Sequence, residues 1–117
     1  MPVKTKRIYD SPEVEDGFRL LVMRRWPRGI AKAKISLWNK HLAPSTELLF
    51  SIRNGEITWP GYEKSYIREM TTLPESINAV KDLIRRSEFE TITLMCACKD
   101  WNHCHRTLLK DLIANKI

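Results

Sequence analysis

The stretch T-I-T-L-M-C-A-C-K-D-W-N-H-C-H-R-T, residues 91–107, decides how the chain is read. Its first half is apolar and β-branched, of a length suited to a strand buried on both faces. A polar turn follows, and then the start of a helix running from about His103 to Asn115, with Leu108, Leu109, Leu112 and Ile113 as its inner stripe. All three cysteines and two of the three histidines lie in this stretch, and Arg106 closes it. A buried strand that delivers Cys, His and Arg to a helix N-terminus is a common way to build a site in an α/β protein.

A second compact apolar run, Phe18 to Met23, is bounded by Gly17 and a basic loop. It has the character of a central strand and predicts a neighbour for Ile92–Cys96. If the two are parallel, their carboxyl ends bring the loop Arg24–Gly29 and the loop Lys99–Arg106 together, where open α/β sheets bind ligands. Val3 to Tyr9 alternates loosely as a weaker strand. Between the strands, the periodicity predicts a helix over Ala31–Leu42 (Ile35, Trp38 and Leu42 on one face), and a helix Leu48–Arg53 capped by Ser45 and ended by Asn54-Gly55. A loop over Glu56–Gly61 follows. Tyr62–Met70 is a helix with Tyr62, Tyr66 and Met70 read as core. Glu75–Ser87 is another, with Ile77, Val80 and Ile84 inward. Strands alternating with helices mean α/β: a single small domain over residues 1–117, with a mostly parallel central sheet flanked by helices.

The totals narrow the function classes. The 117 residues suffice for one core. Neither a membrane-length apolar run nor a signal-peptide core is present, which predicts a cytoplasmic protein with no membrane partner. Three cysteines, two of them spaced C-x-C in a strand, are expected as free thiols. The net charge of +6 favours acidic partners: an anionic small molecule or nucleic acid.

Four chemistries fit the two loops to different degrees. The first is an anion site. Arg24, Arg28 and Arg106 offer planar bidentate donors, Arg106 in the first turn of the last helix, and His103 or His105 titrates near neutrality. The second is a thiolate nucleophile at Cys104, beside two histidines. Seven residues separate Cys98 from Arg106 and one separates Cys104 from it, and neither spacing matches the familiar cysteine–phosphate loop. The third is a metal. Cys96, Cys98, His103, Cys104 and His105 are donors, but C-x-C followed by H-C-H is not a usual zinc spacing, so no metal ligand set and no cofactor is assigned. The fourth is a nucleic-acid-associated module without catalysis, using Trp26, Trp59 and Trp101 in loops, with basic residues flanking Trp26 and Trp101.

K-R-I-Y-D-S-P at 6–12, E-D-G-F-R-L-L-V at 15–22, R-R-W-P-R-G at 24–29 and H-L-A-P-S-T-E-L at 41–48, with the C-terminal strand and its loop, resemble the DUF488 family, its YeaO-like branch in particular. The resemblance spans nearly the whole chain and implies a small α/β domain, found mainly in bacteria and archaea, with no established reaction. It carries Arg24, Trp26, Pro27, Arg28, Gly29, Glu47, Cys104, His105 and Arg106 over as motif positions. Two positions depart from the branch. Met23 stands where an aspartate usually precedes the R-x-W-P-R-G segment, and N-H-C-H-R replaces the common N-H-A.

The expectation is therefore a basic pocket between the two loops. Arg28 and Arg106 would hold an anion, with a phosphate-bearing ligand expected, and Arg24, Trp26 and Cys104 would line it. His103 or His105 would carry protons, with Glu47 as an acidic partner.

Overall fold

The computed structural model describes residues 2–98 and 103–114. Among these residues four strands, β1 (Val3–Arg7), β2 (Phe18–Leu21), β3 (Leu37–Trp38) and β4 (Ile92–Cys96), form one sheet in the order β1-β4-β2-β3. Every pairing is parallel, with Phe18 opposite Ile92, Val3 opposite Ile92, and Leu20 opposite Leu37. The fold is α/β, with β2 and β4 adjacent and parallel at the centre as their composition requires. The ladder runs past β2, since the Val22 amide donates to the Met95 carbonyl at 3.0 Å.

Among the described residues four helices complete it: α1 (Thr46–Arg53), α2 (Trp59–Thr72), α3 (Pro74–Ser87) and α4 (His105–Ala114). Among the described residues, no helix is long and apolar enough to cross a membrane. Successive strand residues point to opposite faces, and this divides the core in two. Ile92 and Leu94 of β4, with Leu20 and Val22, pack under the helices against Leu48, Tyr62, Tyr66, Leu83 and Leu109. Met95 and Leu21 face the other way, onto Ile8, with Trp26, Ile30 and Ile35 over them.

Two segments differ from the sequence reading. Residues 31–42 are not a helix. They comprise the 3-10 turn Lys32–Lys34, the short strand β3 and the 3-10 turn Lys40–Leu42. The apparent stripe fails because its members serve different faces of the sheet: Ile35 joins the Trp26 cluster while Leu42 joins the helical core. Edge pairing then fixes the middle, with the Asn39 amide donating to the Leu21 carbonyl at 3.0 Å. The segment 56–61 is not wholly loop either. Thr58 caps α2, its hydroxyl accepting from the Gly61 amide at 3.3 Å, and Pro60 sits in the first turn, where its missing N–H costs no helix bond.

The aromatic stripe of α2 is core, as its spacing indicates: Tyr62, Tyr66 and Met70 are all buried. The buried face of α3 is Ser76, Ala79, Leu83 and Ser87, rotated by one position from the larger apolar residues, with Val80 and Ile84 half-buried beside it. Small residues there let α3 approach closely, and the Ser76 hydroxyl donates to the His41 carbonyl at 2.8 Å. The last helix begins at His105, and its fully buried apolar residues are Leu109 and Ile113, with Leu108 and Leu112 half-buried.

Candidate functional site

Parallel β2 and β4 end on the same edge of the sheet, and the segments that follow them converge there. A cleft of about 460 Å³ opens between Met23–Arg25 after β2, Ala43-Pro44 and α1, the start of α2, Cys96–Cys98 at the end of β4, and His103–His105 before and in α4. Its lining is mostly apolar and aromatic. Leu49, Phe50 and Ile52 come from α1, and Trp59 stacks on Tyr62 with centroids 5.0 Å apart. Arg24, Arg25 and Arg53 lie around it. Ser45 builds the α1 wall: its hydroxyl accepts from the Leu48 amide at 3.2 Å, and Glu69 of α2 accepts from the Ser45 amide at 2.8 Å and from its hydroxyl.

The floor of the cleft holds sulfur and imidazole. Cys96 and Cys104 are free thiols, both buried, with their sulfurs 2.9 Å apart. The hydrogen bond from Cys104, together with the Arg106 guanidinium, brings the Cys96 thiol down to about 7 despite its burial. Donation of its proton to Cys96 and burial push Cys104 far up. Cys98 lies past the end of β4, half-buried, on the cleft side. His105 is buried among these groups. Its Nε2 bonds the Val22 carbonyl, its Nδ1 lies 3.9 Å from the Cys104 sulfur, and its ring meets Tyr66 edge-on at 5.7 Å. Burial takes its pKa down to about 4, so it is neutral at physiological pH. Burial pushes the Tyr62 and Tyr66 phenols up, and both stay protonated. The Tyr66 hydroxyl donates to the Leu42 carbonyl at 2.7 Å.

The structure brings some of the expected site residues together and separates others. Arg24, His103, Cys104 and His105 line the cleft. Arg24 also ties the loop to α1, donating to the Pro44 and Ala43 carbonyls at 3.1 and 3.2 Å. His103 is exposed and meets Trp59 edge-on at 4.9 Å. Arg106 is buried and turned to the floor: its Nη1 donates to the Cys98 carbonyl at 2.9 Å and to the Cys96 sulfur at 3.1 Å. It is a brace for the end of β4, not a rim residue. Trp26 covers the other face of the sheet, its Nε1 donating to the Ile30 carbonyl at 2.8 Å and its ring set edge-on against Trp38. Arg28 and Glu47 are exposed and do not line the cleft. Lys99 to Asn102 of the last loop, with Trp101, lie outside the described residues.

Sequence reasoning missed Arg25, Arg53, Trp59 and Tyr62 as cleft residues. Arg53 ends a helix in a way that also suits the helix dipole, and Tyr62 reads as core, so neither carries a local signal. A shallower groove of about 390 Å³ beside β3 and α3 holds Arg85 and Arg86, but both pair with acids, Asp82 and Glu90, and no thiol or imidazole lines it.

Comparison with known proteins agrees with the residues. The family model described as the active DUF488-N3 subclade matches residues 3–117. The uncharacterized protein YeaO of Escherichia coli is 31% identical over 113 residues, covering 95% of this chain and 96% of that protein. The uncharacterized protein Rv3073c of Mycobacterium tuberculosis is 44% identical over 48 residues, 39% of this chain and 41% of that protein. No solved structure matches the chain significantly. With both the family model and YeaO aligned along almost its full length, the chain belongs to the DUF488 family, in its YeaO-like branch.

Proposed function

We propose that the protein binds a small ligand carrying an anionic group, with phosphate the first candidate, and an apolar or planar body, in the cleft at the carboxyl edge of the sheet. The observation that carries this reading is the presence in one cleft of a mostly apolar, aromatic lining and three arginines, Arg24, Arg25 and Arg53. Arginine forks suit phosphate and carboxylate, and the stacked Trp59–Tyr62 pair offers a flat surface to a ring. Arg25 and Arg53, both exposed, take the anion-holding role in place of Arg28 and Arg106. His103 is the solvent-accessible imidazole on the cleft and the proton carrier in any reaction there, since His105 is buried with its Nε2 held by the Val22 carbonyl. A nucleic-acid module finds less support: Trp26 is spent on the core.

A thermal-shift screen of nucleotides and phosphorylated metabolites, with mixed-sequence oligonucleotides alongside, tests this. A phosphorylated small ligand should raise the melting temperature, and the double variant Arg25→Ala/Arg53→Ala should remove that rise while keeping the fold. Oligonucleotide binding with a steep salt dependence, and no response to small ligands, would reverse the reading.

A further inference from the structure

We propose that Cys96, Cys104 and His105 form a binding site for a zinc-type divalent transition metal, with its fourth position open to the cleft. This assigns chemistry to the floor that the anion reading leaves unused.

The donors come from two separate elements. Cys96 is the last residue of β4, Cys104 directly precedes α4, and His105 is the first residue of α4. The two sulfurs and the imidazole nitrogen all lie within 4.8 Å of one another, and all three residues are buried. A tetrahedral zinc takes sulfur at about 2.3 Å and nitrogen at about 2.0–2.1 Å, which sets two ligand sulfurs about 3.8 Å apart. From the 2.9 Å separation, the thiols need to part by less than about 1 Å. Helix α4 and strand β4 need not be rebuilt.

The imidazole is already in the form that a metal requires. A backbone carbonyl only accepts, so the Val22 carbonyl places the proton of His105 on Nε2. The Nδ1 lone pair is then left facing the Cys104 sulfur. An imidazole anchored through its far N–H to a carbonyl is how metal-ligating histidines are usually held. Arg106 donates to the Cys96 sulfur at 3.1 Å, which supports that sulfur as a thiolate beside the ion. Two thiolates offset a divalent charge, so the loaded site is neutral apart from Arg106. Binding releases the thiol protons to solvent. The remaining side faces the cleft, where Cys98 and His103 lie. Three protein ligands with an open fourth position are the arrangement of zinc sites that act on a bound molecule.

The test is titration of the reduced, chelator-treated full chain with cobalt(II). One equivalent should bind with an intense thiolate-to-cobalt charge-transfer band and four-coordinate visible bands, and zinc(II) should displace it. Cys96→Ser and Cys104→Ser should each weaken that band and lower zinc affinity by at least about tenfold, as should His105→Gln, while Cys98→Ser retains the metal. Alkylation of the unmutated protein covers the case in which a variant does not fold: zinc should protect Cys96 and Cys104 and leave Cys98 reactive. Three results overturn the proposal: a folded, reduced protein that takes up no cobalt; a charge-transfer band that survives in both cysteine variants; or purified protein that carries a Cys96–Cys104 disulfide and no metal. Because none of these readouts needs an anionic ligand, and the Arg25/Arg53 variant should leave the cobalt spectrum unchanged, this proposal and the anion reading fail independently.

Discussion

Arg106 Nη1 lies 2.9 Å from the carbonyl oxygen of Cys98, so this arginine braces the end of β4 from inside the protein. It also donates to the Cys96 carbonyl at 3.4 Å. Replacing it with Met should therefore destabilise the fold by about 2–3 kcal/mol, the scale for losing hydrogen bonds from a charged group and leaving buried acceptors unpaired. Urea unfolding measures this. A variant as stable as the parent that loses ligand binding would return Arg106 to the pocket.

Arg53 is the converse case, exposed at the last turn of α1 on the rim of the cleft. Arg53→Glu should lower unfolding free energy by only about 1 kcal/mol, the scale of exchanging a base for an acid at a helix C-terminus. It should weaken binding of an anionic ligand by at least about tenfold, because a charge-assisted hydrogen bond becomes a repulsion. Calorimetric titration at two salt concentrations checks both the loss and its electrostatic origin.

Gly17 turns the chain into β2 with φ +64, and a Cβ built on it would stand 2.4 Å from the Thr91 carbonyl oxygen. That oxygen accepts from the Phe18 amide at 2.9 Å, so it cannot move without opening the β2–β4 ladder. Gly17→Ala should cost about 2–4 kcal/mol, from backbone strain and the clash together. The denaturation midpoint should fall with an unchanged slope.

Asp16 ties the other face of the sheet together. It is buried and pairs with Lys6 at 3.1 Å and with Arg19. Burial pushes its carboxyl up, but hydrogen bonds from the Glu13 amide, Lys6 and Arg19 outweigh this and hold it below the ordinary 3.8. The folded state thus favours the carboxylate. Its stabilisation is complete above the ordinary value and is lost as pH falls through the lower folded one, because in that window the unfolded chain binds more protons. Asp16→Asn should cost about 3 kcal/mol at neutral pH by leaving the buried Arg19 without its carboxylate and half-buried Lys6 with Glu13 alone. It should also flatten the acid limb of the stability profile below about pH 4. Melting curves taken across that range give both quantities.

The sequence by itself determined the α/β class, the central β2–β4 pair, the capping of α1 by Ser45 and the core face of α2. These follow from local patterns: an apolar run too short for a helix, a hydroxyl before a helical start, aromatics at i+4. It also located the two segments that meet at the sheet edge, because parallel strands must end on the same side. Only the tertiary structure decided what each side chain in those segments does. Trp26, Arg24 and Arg106 all read as loop or first-turn residues with binding potential. The face of the sheet on which each falls, and the backbone carbonyls within its reach, turned Trp26 into a cover, Arg24 into a tie and Arg106 into a brace. The same holds for sulfur and nitrogen. Cys96 and Cys104 are separated by seven residues in a spacing that matches no familiar ligand motif, yet a strand end and a helix start set their sulfurs 2.9 Å apart. The Val22 carbonyl, 83 positions from His105 in the chain, sets that imidazole's free nitrogen toward them. Spacing along a chain limits which donors are near in sequence; packing alone determines which lone pairs converge.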